Sequence, residues 1–355
     1  MSKLLQRTVV SILLGVGIVF GFKSNTFATA YSFQGGQIKA VFGPHDYTDT
    51  QSPYYQLYKF LQSAKKTIHC SCYEFNIETL AQILANKAEE MPVHVVLGEK
   101  PASKTIPVDS DQPWDAWQIL SNSKVALTLA ANKSGIMHNK FCVVDSHKVW
   151  TGSANFTYSS MFRDFNNGIM VDDPKLALNY LTEFREEERG NYGSAYQPFP
   201  TPHPEVELGN TMIETYFSPD DKVQSQILSE IKAAQSSIEF MIFAFSSQKM
   251  LDTILAKMDQ GVEVWGIFDN RYRNTEWGKK VFEALKAKGA RVKYDDLPNL
   301  VHHKVMIIDG KTVITGSYNF SQNAEKENDE NTLIIHSPRV AGKYSKEFWI
   351  LWDMF

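Results

Sequence analysis

Two blocks of hydrophobic and polar residues, alike in order and spacing, divide this chain. Each opens with apolar residues at three- and four-residue spacing, over 54–64 and 223–234, which predicts an amphipathic helix. A strand follows at 67–75 and at 237–245, the latter almost continuously apolar, as in a strand buried on both faces of a helix-covered sheet. Helices over 77–88 and 249–258 lead into apolar runs at 93–97 and 262–266, so each block holds a strand–helix–strand unit. Next, the second block has a charged helix over 276–288, stopped by Gly289, and a strand over 292–294. The first has instead a segment with Pro and Asp over 100–115. Helices over 176–188 and 340–352 close the blocks, and residues 190–209, rich in Gly, Pro and Tyr, read as a linker. The pattern predicts an α/β protein of two duplicated domains, 31–189 and 210–355, each with a mixed sheet flanked by helices.

The first thirty residues stand apart. Lys3 and Arg7 precede an uncharged, mostly apolar run of 15 residues over 8–22, and Ala28-Thr29-Ala30 supplies a small-x-small cleavage site. A bilayer-spanning helix needs about 20 residues. Residues 1–30 are therefore expected to be a signal peptide for export, periplasmic or secreted, with an uncleaved anchor as the alternative. The net charge of -4 becomes -7 without Lys3, Arg7 and Lys23, which argues against a non-specific polyanion binder but leaves room for a local basic groove. Of three cysteines, Cys70 and Cys72 share one face of a strand and Cys142 lies in another. Burial as small apolar groups is the favoured reading, and a bridge from Cys142 to Cys70 or Cys72 stays open. The sequence has no zinc-type Cys/His spacing and no phosphate-binding glycine loop, so no metal or organic cofactor is expected.

One motif occurs twice. His138-Asn139-Lys140, Asp145 and Gly152-Ser153-Ala154-Asn155 recur at identical offsets as His302-His303-Lys304, Asp309 and Gly316-Ser317-Tyr318-Asn319. Cleaving a phosphodiester needs a nucleophile, an acid for the departing alkoxide and positive groups around the phosphoryl oxygens. Two His supply the first two, since imidazole and imidazolium coexist near neutrality. Lys140 and Lys304 hold the charge, and Asn155 and Asn319 donate to the same oxygens, with Ser153 and Ser317 as further substrate-binding candidates or shapers of the turn. Neither block suffices alone, so the motifs are expected to meet across the domain interface.

On these residues the chain resembles the phospholipase D superfamily, in its compact bacterial phospholipase D, nuclease and cardiolipin-hydrolase-like branch. The resemblance implies two tandem phospholipase D-like domains with the active site at their pseudo-twofold interface. It also implies a phosphohistidine intermediate, with His138 as nucleophile and His302 as acid and later base, and Asp145 and Asp309 as supporting residues. The family places an acidic residue after each motif to orient the catalytic His. Glu330, 28 residues past His302, fits; the matching position in the first block is Asn166. Within-block pairing gives the expectation that Glu330 keeps His302 protonated while Asn166 leaves His138 neutral.

Other candidates are weaker. His303 is expected to point away from the site, and His94, His147 and His336 read as surface or strand residues. Arg271, Arg273, Lys279 and Lys280 suit a solvated helix face better than an anion contact, and Trp114, Trp117 and Trp277 line a substrate mouth or pack in the core. Phospholipid is the first expectation for substrate, from export, acidity and a 12% aromatic share; nucleic acid is second, phosphatidyl transfer third and a non-enzymatic binding module fourth. Transient contact with a membrane surface is compatible with the first, and no protein partner is implied.

Overall fold

A computed structural model describes residues 30–46, 48–98, 113–131 and 135–355. Of the expected signal peptide, residues 1–29 lie outside them, as does most of the segment 100–115. The first repeat contains β1 (Ala30–Phe33), β2 (Ile38–Gly43), α1 (Pro53–Gln62), β3 (Ile68–Cys72), α2 (Glu78–Ala88) and β4 (Val93–Leu97). It continues with α3 (Pro113–Ser121), β5 (Ala126–Leu129), β6 (Lys140–Val144), β7 (Lys148–Gly152), α4 (Tyr158–Phe162), β8 (Asn166–Asp172) and α5 (Pro174–Glu188). The second contains β9 (Glu205–Leu208), β10 (Thr211–Ser218), α6 (Val223–Ala233), β11 (Ser237–Ile242), α7 (Gln248–Asp259) and β12 (Glu263–Phe268). Then come α8 (Glu276–Lys288), β13 (Arg291–Tyr294), β14 (Lys304–Ile308), β15 (Thr312–Gly316), α9 (Gln322–Lys326), β16 (Glu330–His336) and α10 (Pro338–Met354).

The first sheet runs β1-β2-β8-β7-β6-β3-β4-β5 and the second β9-β10-β16-β15-β14-β11-β12-β13, the same order strand for strand. Both are mixed: β3 and β4 pair in parallel while β3 and β6 are antiparallel, and β11, β12 and β14 repeat the arrangement. Helix α3 and strand β5 answer α8 and β13, so the repeats match where the sequence pattern predicts divergence. The expected linker also holds structure, because β9 adds an antiparallel edge to β10.

The central strands are buried on both faces. Phe141 and Val143 of β6 face a core cluster that also takes in Val305 and Ile307 of β14, α5 and α10, so both repeats share it. The alternate residues, Cys142 and Val144, face a cluster under α1–α3, and Met306 and Ile308 face one under α6–α8. Local signals place the helices: Ser52 caps α1 by accepting from Tyr55 N before Pro53, and Gly289, at φ 100°, stops α8. Cys70 and Cys142 stand opposite each other on β3 and β6 and are joined by a disulfide; Cys72 is buried and free. The open alternative thus replaces the favoured reading of three buried thiols, since antiparallel pairing brings those two Cβ atoms together.

Candidate active site

Each motif runs off the edge of its repeat into the other. His138 N donates to Asp329 O (2.9 Å), and Phe165 N to Leu300 O (2.7 Å) and His302 N to Phe165 O (2.9 Å) repeat the contact in reverse. The segment before β16 thus delivers its first residue to the first motif, and the segment before β8 delivers its first residue to the second. His138 Nδ1 lies 2.7 Å from Glu330 Oε2, and His302 Nδ1 lies 3.0 Å from Asn166 Oδ1. The expected pairing of Glu330 with His302 is corrected: the orienting residues are exchanged between repeats. Spacing along the chain could not reveal this, because a residue 28 positions away serves the symmetry-related histidine.

The surrounding bonds set tautomers. Asn166 Nδ2 donates to Ser160 O (2.9 Å), which turns Oδ1 toward His302, and Ser153 O also lies 3.1 Å from the ring. Both are acceptors, so His302 Nδ1 carries the proton and Nε2 is left for substrate. Ser153 Oγ donates to Asn166 Oδ1 (2.9 Å) and accepts from Asn167 N (3.0 Å), and Ser317 Oγ accepts from Asn331 N at 3.0 Å. Both serines are fully buried beneath the histidines. They support the orienting residues instead of facing substrate. Gly152 and Gly316 permit the turn, since a Cβ on either would sit 2.2 Å from Asn167 O or Asn331 O.

Lys140 Nζ donates to His138 O and Lys304 Nζ to His302 O, each at 2.6 Å, and each is buried against an aromatic ring, Tyr73 or Phe243. Burial pulls Lys140 down to about 8 and Lys304 well below its ordinary value. Both histidines are less than one-tenth exposed. Burial holds both below the usual imidazole range, and each also feels the lysines of both repeats, so the motifs share one site. Burial pushes Glu330 up to about 7. The 2.7 Å contact with Glu330 fixes the orientation of the His138 ring through Nδ1.

Asn155 Nδ2 donates to Glu74 Oε2 at 2.7 Å, while Oδ1 of Asn155 and of Asn319 is buried without a partner. Asp145 and Asp309 occupy left-handed turns (φ 56° and 54°) on the far ends of β6 and β14, where their carboxylates accept from the backbone N–H groups of 65–67 and 235–237. They fasten the sheet and lie away from the chemistry. His303 is buried and bonds Asn167 Oδ1 (3.1 Å) across the interface, and Asn139 accepts from Asn331 Nδ2 (2.7 Å) in the mirror position. His94, His147 and His336 pair with Glu188, Asp172 and Glu214. Arg271, Arg273, Lys279 and Lys280 are exposed. Trp117 and Trp277 pack against the outer cores; the side chain of Trp114 lies outside the described residues.

Tyr73, Glu74, Phe243, Asn167 and Asn331 are contributors that sequence reasoning missed. Glu74 offered a signal, as the only carboxylate in the apolar run from Ile68 to Phe75. Among the described residues, two groups could each bring three ligand atoms within 4.8 Å of one another, Glu214 with Glu230 and His336, and Glu183 with Glu186 and Asp220; neither includes a motif histidine. No helix among the described residues is long and apolar enough to cross a membrane.

The family profile described as "Cardiolipin synthase, PLD-like domain" matches residues 57–187 and 227–352, one match per repeat. Mitochondrial cardiolipin hydrolase of Xenopus laevis is 33% identical over 135 residues, covering 38% of this chain and 63% of that protein. Phospholipase D of Rickettsia prowazekii is 31% identical over 143 residues, 40% of this chain and 69% of its own length. Among solved structures, phosphatidylserine synthase of Haemophilus influenzae matches 90% of this chain and 86% of its own with a TM-score of 0.63 at 15% identity, a likeness of fold.

Proposed function

Because the chain belongs to the phospholipase D superfamily, we propose that it is a metal-independent phosphodiesterase that hydrolyses phospholipids to phosphatidic acid and a free head-group alcohol through a phosphohistidine. The observation that carries the mechanism is the exchanged support of the two rings. Nε2 of His138 attacks phosphorus, the bond to the head-group oxygen breaks, and His302, protonated at both ring nitrogens once the anionic phosphate is bound, gives its Nε2 proton to that oxygen. The phosphorylated ring is cationic, and Glu330 at its Nδ1 stabilises it. An amide partner leaves His302 the weaker base of the two and so the better acid. His302 then takes a proton from water, the oxygen attacks phosphorus, and the P–N bond breaks to restore neutral His138. Lys140, Lys304 and the amides of Asn155 and Asn319 neutralise the phosphoryl oxygens throughout.

The lipid reading is supported by relatives named phospholipase D and cardiolipin hydrolase and by the net negative charge. Export is part of the proposal, supported by the Cys70–Cys142 disulfide, a bond that persists in oxidising compartments. The test is head-group release from mixed phospholipids by residues 31–355 with chelator present, beside cleavage of single-stranded DNA, for the wild type, His138→Asn and His302→Asn. Lipid turnover lost in both variants is expected. DNA cleavage without lipid turnover would assign the protein to nucleic acid, and activity surviving either substitution would overturn the two-histidine site.

A further inference from the structure

Backbone bonds show that Glu74 and Ala244 are equivalent. Tyr73 N donates to Asn139 O (2.9 Å) and Phe156 N to Glu74 O (3.1 Å); Phe243 N donates to His303 O (3.0 Å) and Phe320 N to Ala244 O (3.1 Å). Only the first repeat carries a carboxylate there, and the mechanism above does not use it. The fold tolerates alanine at this position, so Glu74 is not required by the strand. Its charge works against anion binding in a site built to hold phosphate.

We propose that Glu74 is a specificity-determining and positioning residue, which locks Asn155 as a donor and confines the lysine pair to phosphates with a single negative charge. The proposal rests on the reading that Lys140 and Lys304 hold the phosphoryl group. The 2.7 Å bond from Asn155 Nδ2 fixes the amide, because a flipped Asn155 would set Oδ1 against the carboxylate. One N–H is thereby committed to Glu74 and the other is left for a phosphoryl oxygen, while Asn319 has no such lock opposite Ala244. Glu74 also acts on the nearest lysine, as the second charge after Glu330 to favour the Lys140 cation. A phosphodiester carries one negative charge, whereas a monoester such as the product, or inorganic phosphate, acquires a second near neutrality. Glu74 repels the second charge, so the product leaves more readily than substrate.

Glu74→Gln separates the two roles, because the amide oxygen can still accept from Asn155 while the charge is gone. With bis(p-nitrophenyl) phosphate as substrate and inorganic phosphate as competitive inhibitor at pH 8, KM should fall about threefold and Ki about tenfold, the second charge doubling the logarithm of the effect. At pH 5, where phosphate is a monoanion, Ki and KM should fall by the same factor. A purely structural role would move KM and Ki together at both pH values in Glu74→Ala and be restored in Glu74→Gln, and that result overturns the proposal. Calorimetric titration with inorganic phosphate needs no turnover and separates the layers of the argument. Binding lost in Lys140→Ala but indifferent to Glu74→Gln removes the charge filter alone; binding indifferent to both Lys140→Ala and Lys304→Ala removes the phosphate site on which it rests.

Discussion

Nδ1 of His138 lies 2.7 Å from Oε2 of Glu330, 192 residues further along the chain and in the other repeat. His302 and Asn166 mirror the pair at 3.0 Å, with an amide in place of the carboxylate. The duplicated halves therefore support each other's histidines, with a carboxylate at Nδ1 of one ring and an amide at Nδ1 of the other.

That difference can be read by titration. Asn166→Asp should raise the His302 pKa by about one unit or more, since a carboxylate replaces a carbonyl oxygen at Nδ1. Glu330→Gln should lower kcat by about a hundredfold with a smaller change in KM, because it removes support for the phosphorylated ring. Ring-nitrogen NMR and steady-state kinetics check the two; an unchanged His302 in Asn166→Asp would refute the exchanged pairing.

The covalent intermediate should be trapped on one side only. With a p-nitrophenyl diester, whose leaving group needs no acid, His302→Asn should complete the first step and stall before hydrolysis. Mass spectrometry of the peptide containing His138 should then show an acid-labile phosphoryl adduct, and His138→Asn should show none.

The buried glutamates of α5 should contribute a loss of stability as the pH rises from about 4.5 to about 8. Burial raises Glu183, raises Glu186 to about 7, and raises Glu187 to about 8 from an ordinary 4.5. Across that window these three carboxyls bind more protons in the folded protein than in the unfolded chain, so their contribution to the free energy of unfolding decreases with pH. Calorimetric melting at pH 5 and pH 8 tests the sign, and Glu183→Gln should flatten the slope.

Reduction should destabilise the first repeat. The Cys70–Cys142 bond closes a loop of 72 residues, worth about 4.4 kcal/mol by the chain-entropy argument. Urea unfolding with and without reductant should differ by that amount, and thiol counting on the unreduced protein should find one free cysteine, Cys72.

Asp309→Ala should cost about 2 kcal/mol by leaving the N–H groups of Gln235, Ser236 and Ser237 without their acceptor. Head-group release at a temperature well below melting should change little, because Asp309 is at the end of β14 remote from His302. A large loss of kcat without a change in melting temperature would give it a chemical role.

The duplication, the α/β class, most of the helices and strands, and the motif residues were legible in the sequence because each rests on local order: apolar period, capping residues, and spacing within some twenty residues. The exchange of Glu330 and Asn166, the placement of Ser153 and Ser317 beneath the rings, the interlocking of Asn139 with Asn331 and His303 with Asn167, and the proximity of Glu74 to Asn155 were decided by tertiary structure. Two repeats related by a pseudo-twofold axis offer every motif residue two possible partners, its own repeat's and the other's. Sequence spacing ranks the near one first, whereas packing the two sheets around a shared core brings the distant one within hydrogen-bond reach.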